Sequence, residues 1–394
     1  MKKSLRATRR AHRLKLYILS LLLFAVAFGI VFAIVELSIR YMHAGEGGET
    51  RDHLVEAEYM PAKMKPHYQG RIWGIPFRTN RYGLRDEVDF PENPAAGEYR
   101  VLSLGDSIAF GLGVPTAGHY TKLLESRLSQ ENPKITYRII NGAGPGFSPS
   151  GYYLYLKNEG LRLKPRRVII EIELCNDVTD EALVRWEEKP GDPGSLERVR
   201  GGRYIVGWDG NLLATYCRGP YFFEKTYTYT VLTRRVLNLL YRLSPPEPFA
   251  TTEGVTYYSL GFDRYLLDNE RIEQGWQRVF GALEKTQELL RINQVEFLLV
   301  IMPTQYMFDP ASGAYGRFAA GLVKRAVAEA ERRGLPYLDM TEPMRDRGGK
   351  SLYFDFAHPT EQGNQVIAEE LYKEFKRRNQ SGTGITHAED VGGK

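Results

Sequence analysis

The order of apolar and polar positions along the chain separates three regimes. Residues 16–35 form an unbroken run of twenty without a charge. At about 1.5 Å per residue, such a helix spans the ~30 Å hydrocarbon layer of a bilayer. From about residue 96 onward, short apolar runs alternate with amphipathic stretches. Residues 99–104, 137–140, 168–173, 297–301 and 337–339 read as buried strands. Residues 120–129, 149–159, 269–291, 314–333 and 362–378 carry helical periodicity or good helix-forming composition. Strands alternating with helices predict an α/β three-layer sandwich, with about five parallel strands covered on both faces. In such sheets ligands sit beyond the carboxyl ends of the strands, so the residues just after each strand are the ones to inspect.

Two segments break the alternation. Residues 38–95 are rich in Gly, Pro and charge and read as a juxtamembrane linker and extended lead-in. Within them, residues 77–86 look ordered, with aromatic and polar side chains around Gly83. Residues 178–268 interrupt the alternation with many Trp, Tyr and Phe. There, residues 203–206 and 211–214 flank Asp209-Gly210 and read as a hairpin. An insertion of this length is either a lid or binding loop or a subdomain whose aromatics fill its own core. The expected division is a basic arm (1–15), an anchor (16–37), the lead-in (38–95), an α/β domain (96–378) holding the insertion, and a disordered polar tail (379–394).

Charge orients the anchor. Lys2, Lys3, Arg6, Arg9, Arg10, Arg13 and Lys15 precede the apolar run without an acid among them, whereas mixed charges follow it. The positive-inside rule puts the N-terminus in the cytoplasm. The body is then expected on the periplasmic or extracellular side of the inner membrane, held by a single pass. Ala25-Val26-Ala27 resembles a cleavage site, but the apolar run continues past it, which favours an uncleaved anchor over a signal peptide. Without the arm, 46 basic residues face 48 acidic ones, so no basic footprint for nucleic acid stands out. Cys175 and Cys217 have no metal-ligand spacing; outside the cytoplasm they could form one disulfide or stay unpaired.

Chemistry-bearing residues fall at the strand ends. Gly105-Asp106-Ser107 follows the first strand and places a serine where a helix should begin, among free N–H groups that favour developing negative charge. Asn141-Gly142-Ala143-Gly144-Pro145-Gly146 follows the second and lets backbone N–H groups approach a ligand. Asn176 follows the third, where a neutral amide can donate to an oxyanion. Asp355-Phe356-Ala357-His358-Pro359 stands directly before the last helix. Of seven histidines, His358 is the one with a carboxylate three residues earlier at an element boundary, a spacing that lets Asp355 hold its tautomer. Gly111-Leu112-Gly113 lacks the third glycine of a dinucleotide fingerprint.

Taken together and in this order, these blocks resemble the SGNH/GDSL hydrolase superfamily over residues 99–376, apart from the insertion. With the lead-in and anchor, the chain looks like a membrane-bound bacterial branch of it. The resemblance implies a flavodoxin-like strand order and ester cleavage through Ser107, His358 and Asp355. It also implies an oxyanion hole made by the Ser107 and Gly146 N–H groups and the Asn176 side chain, with Gly144 as the alternative if the turn is shifted. No metal, nucleotide or other cofactor is required. The expected partner is an ester-bearing small molecule, lipid or glycan, and O-acetyl groups are one such ester. Two other readings stay open: an O-acyltransferase on cell-envelope polysaccharide using the same triad, and a non-catalytic glycan-binding module on the same frame.

Overall fold

The computed structural model describes residues 2–42, 53–55, 57–60, 62–72, 74–174, 176–192, 195–200, 203–206, 212–216, 228 and 269–380. Five parallel strands form the central sheet: β1 (Glu98–Leu104), β2 (Thr136–Asn141), β3 (Arg167–Glu173), β4 (Glu296–Met302) and β5 (Tyr337–Asp339). Their order across the sheet is β2-β1-β3-β4-β5, the doubly wound flavodoxin-like arrangement. The reversal of direction falls between β1 and β3, whose register pairs Leu104 with Ile170.

Period-two alternation explains why the sheet is covered on both faces. Leu102, Leu104, Ile170, Ile172, Leu299 and Ile301 pack on one side against α4 (Pro149–Asn158), α5 (Asp177–Leu183), α6 (Asn269–Ile292) and α7 (Ala314–Arg332). Val101, Ile139, Ile169, Leu298 and Val300 pack on the other, against α3 (Tyr120–Glu131), α8 (Thr341–Asp346) and α9 (Glu361–Gln380). Each fully buried Leu or Ile here contributes about 1.5–3 kcal/mol relative to exposure.

Residues 53–95 do more than link. Two short hairpins, Leu54–Val55 with Lys63–Met64 and Gln69–Ile72 with Ile75–Arg78, lead into a segment lying against the first core face. Met60, Met64, Ile72, Phe77, Leu84 and Phe90 are buried there. The sequence pattern concealed this because the buried apolar residues follow neither the strand nor the helix period among Gly, Pro and charged positions.

The first helix, α1 (Lys2–Met42), is longer than the apolar run that marks it. Its stretch Arg13–Ile39 is long and apolar enough to cross a membrane; most of its residues are exposed, and Glu36 is buried. Near its C-terminal end, the Glu36 carboxylate accepts from the Thr228 N–H at 2.9 Å and hydroxyl at 2.8 Å. In the insertion, Arg203–Val206 and Leu212–Tyr216 pair antiparallel, as the alternation predicts; the Asp209-Gly210 turn lies outside the described residues. A second hairpin, Arg185–Glu188 with Leu196–Arg200, packs Trp186 beside Tyr153, Leu196 and Val199. Cys175, Cys217 and residues 381–394 also lie outside the described residues.

Candidate active site

β1 delivers the serine. After Leu104 the chain turns through Gly105 and Asp106 into the one-turn helix α2 (Ser107–Phe110). A Cβ at position 105 would lie 2.5 Å from the Ala109 Cβ and 3.1 Å from the Glu171 carbonyl oxygen, so only glycine allows the turn. Asp106 caps α2: its Oδ1 accepts from the Ile108 N–H at 3.0 Å. Its other oxygen accepts from the Asn176 amide at 2.9 Å. Burial pushes the Asp106 carboxyl above its ordinary range, against the pull of these two hydrogen bonds.

The turn before α9 delivers the imidazole. The Tyr353 hydroxyl donates to the Pro303 carbonyl at 2.8 Å, and the Phe354 N–H donates to the His358 carbonyl at 3.1 Å, closing the loop against the end of β4. Within it, Asp355 Oδ1 accepts from the N–H groups of Ala357 (2.9 Å) and His358 (2.7 Å). Asp355 Oδ2 lies 2.7 Å from His358 Nδ1, and His358 Nε2 lies 3.0 Å from the Ser107 hydroxyl. Partial burial works against ionisation of Asp355, but the hydrogen bond and charge of His358, with the two N–H donors, win and hold it below its ordinary range. Ser107 thus forms one hydrogen-bonded line with His358 and Asp355, far from it in the sequence, and His358 itself is buried.

The turn after β2 separates the two glycine candidates. The N–H of Gly142 donates to Ser103 O (2.8 Å), that of Ala143 to Asn141 Oδ1 (3.1 Å), and that of Gly144 to Gly105 O (3.2 Å). Gly144 therefore spends its donor within the fold. Among the described residues, no acceptor engages the N–H groups of Gly146 and Ser107. Asn176 is placed differently: its amide donates to Asp106 at 2.9 Å and more weakly to Asp180 at 3.4 Å. It touches the serine turn through Asp106.

The pattern of residues did not assign a role to several groups that support this constellation. Asn141 donates to the carbonyl of Ala109 at 3.0 Å, inside α2. Arg85, from the lead-in, reaches the same turn; the ordered look of residues 77–86 was the only signal. The Phe354 ring lies beside the His358 imidazole, centroids 5.9 Å apart, and is 44% exposed. Among the described residues, no group of three or more His, Cys, Asp or Glu side chains is arranged to hold a metal ion.

No family model and no curated protein matches the sequence. Solved structures do show likeness. A GDSL-like lipase from Bacteroides thetaiotaomicron VPI-5482 is 13% identical with a TM-score of 0.36, covering 72% of this chain and 91% of its own. A psychrotrophic esterase from Pseudoalteromonas sp., inhibited by monoethylphosphonate in its structure, is 14% identical with a TM-score of 0.38, covering 71% and 98%. An acylhydrolase from Bacteroides fragilis NCTC 9343, so described provisionally, is 14% identical with a TM-score of 0.35, covering 71% and 86%.

Proposed function

We propose that the protein is a membrane-anchored serine hydrolase of the SGNH/GDSL type, cleaving carboxylic esters outside the cytoplasm. The observation that carries this reading is the unbroken line from hydroxyl to imidazole to carboxylate, at 3.0 and 2.7 Å. The resemblance of the four sequence blocks supports it.

Ser107 attacks the ester carbonyl while His358 Nε2 takes its proton. Asp355 fixes the tautomer with the proton on Nδ1 and stabilises the imidazolium that forms. The tetrahedral oxyanion lies against the Ser107 and Gly146 N–H groups, which are free for it among the described residues. The Asn176 amide is a third donor once its bond to Asp180, the longer of its two, is given up. His358 then protonates the departing alcohol, and water deacylates the serine by the reverse route. Each oxyanion donor is worth ~10²–10³ in turnover. The ester is a small molecule, lipid or glycan, with O-acetyl groups as the simplest case. An acceptor hydroxyl replacing water would make the same residues a transferase.

The test is turnover of p-nitrophenyl acetate by the full chain in detergent, beside Ser107→Ala. Loss of turnover to about a thousandth or less is expected, and equal rates for the two proteins overturn the enzymatic reading. Partition of the acyl group between water and an added oligosaccharide then separates hydrolase from transferase.

A further inference from the structure

The serine turn is held from behind by a residue outside the domain boundary drawn from sequence. Arg85 is 2% exposed and lies in the lead-in. Its guanidinium donates to the carbonyls of Phe110, Gly111 (2.7 Å) and Val114 (2.6 Å). These oxygens close α2 and the turn after it. A helix end leaves its last carbonyls without intrahelical partners, and here the end is buried, so water does not reach them. The planar fork of an arginine suits several carbonyls at once.

The link to Ser107 is short. The Gly111 and Leu112 N–H groups donate to the Ser107 carbonyl at 3.1 and 3.0 Å, while Arg85 grips the Gly111 carbonyl. Gly111 has φ +86°, and a Cβ there would fall 2.6 Å from the Arg85 guanidinium and 2.4 Å from the His119 ring. Only glycine lets the arginine in. The Arg85 N–H donates to the Asn141 carbonyl at 3.2 Å, and Asn141 in turn donates to the Ala109 carbonyl, so lead-in, β2 and α2 are tied at one point. Burial alone lowers the guanidinium pKa to about 10, with no carboxylate contributing. Its charge is balanced by carbonyl dipoles of the serine turn.

We propose that Arg85 is a positioning residue for the Ser107 hydroxyl. It anchors the far end of the turn that carries the serine, and so sets the serine's approach to His358, without touching substrate. This rests on the reading of Ser107 as nucleophile. Arg100 supplies the control. It is fully buried near the start of β1, at the end of the strand away from Ser107, and it too grips carbonyls: those of Pro91 (2.8 Å), Glu92 (2.7 Å) and Leu163 (2.9 Å).

The experiment compares R85K, R85M, R100K and S107A in the full chain in detergent, measuring kcat, KM and the thermal midpoint. A hydroxyl displaced by about 1 Å costs ~10² in rate. R85K is therefore expected to lose about 100-fold in kcat with KM within about twofold. R100K is expected to lower the midpoint at least as far while keeping kcat. If R85M does not fold, R85K decides. Wild-type kcat in R85K, or an equal kcat loss in R100K, overturns the positioning role. An active S107A instead overturns the nucleophile on which it rests, and the two failures are told apart by that arm.

Discussion

His119 is a buried imidazole that caps α3, its Nδ1 2.8 Å from the Thr121 hydroxyl. Burial first, and the positive charge of Arg85 second, push its pKa well below the ordinary 6.5. The sign of the consequence follows from proton binding. As pH falls through about 6.5, the unfolded chain takes up a proton that the folded chain refuses, so stability is present at neutral pH and lost on acidification. The loss approaches about 1.4 kcal/mol per pH unit until the folded-state pKa is reached. His119→Gln is expected to flatten the slope of the thermal midpoint between pH 7 and pH 5; an unchanged slope would show that other groups set it. Asp355 carries the same sign, stability lost on acidification, but its lowered pKa keeps the group charged where His358 needs a partner, whereas that of His119 keeps it neutral. Sequence spacing singled out His358 and passed over His119, because a carboxylate three residues away is local information and burial is not.

At the scale of elements, the candidate site joins one strand end, which carries Ser107, to the turn before α9, which carries Asp355 and His358. The Asp355 turn shows how much one short loop does. Its Oδ1 serves backbone N–H groups that hold the loop, and its Oδ2 serves the imidazole. Asp355→Asn keeps the first acceptor and puts an amide donor opposite Nδ1, which then has to accept and forces the proton onto Nε2. The thermal midpoint is expected to stay nearly constant while kcat falls about 10³–10⁴-fold; measuring both on one preparation checks it, and a large drop in midpoint would mean that the loop had unfolded instead. The strands themselves were readable within a residue or two, since each is a short apolar run bounded by breakers. The glycine choice was not. Gly144 and Gly146 are the same residue type in one turn; the structure separates them by the hydrogen bond from Gly144 to Gly105 and by the φ of +74° at Gly146.

For the whole molecule, the apolar first helix and the lead-in make opposite demands. Among the described residues, the membrane-length part of α1 is largely exposed, with Glu36 meeting Thr228 near its C-terminal end. Six buried apolar side chains between Met60 and Phe90, at about 1.5–3 kcal/mol each, approach or exceed the ~5–15 kcal/mol net stability of a typical domain. A chain starting at residue 43 is therefore expected to leave the membrane fraction, fold and keep esterase turnover. A chain starting at residue 96 is expected to be insoluble or unfolded, and a folded, active 96–394 product would refute the structural role of the lead-in. Circular dichroism and p-nitrophenyl acetate turnover read both.

Apolar periodicity by itself determined the parallel sheet, its covering helices and the membrane-length run, because burial on a strand or helix repeats with the geometry of that element. Short-range chemistry determined Gly105-Asp106-Ser107 and the Asp355–His358 pair, because those partners are neighbours in the chain. Tertiary structure alone decided that Arg85 backs the serine turn, that Asn176 meets Asp106, and that residues 53–95 belong to the core. Each of those contacts joins residues more than twenty positions apart, and which distant groups meet depends on how the layers pack together.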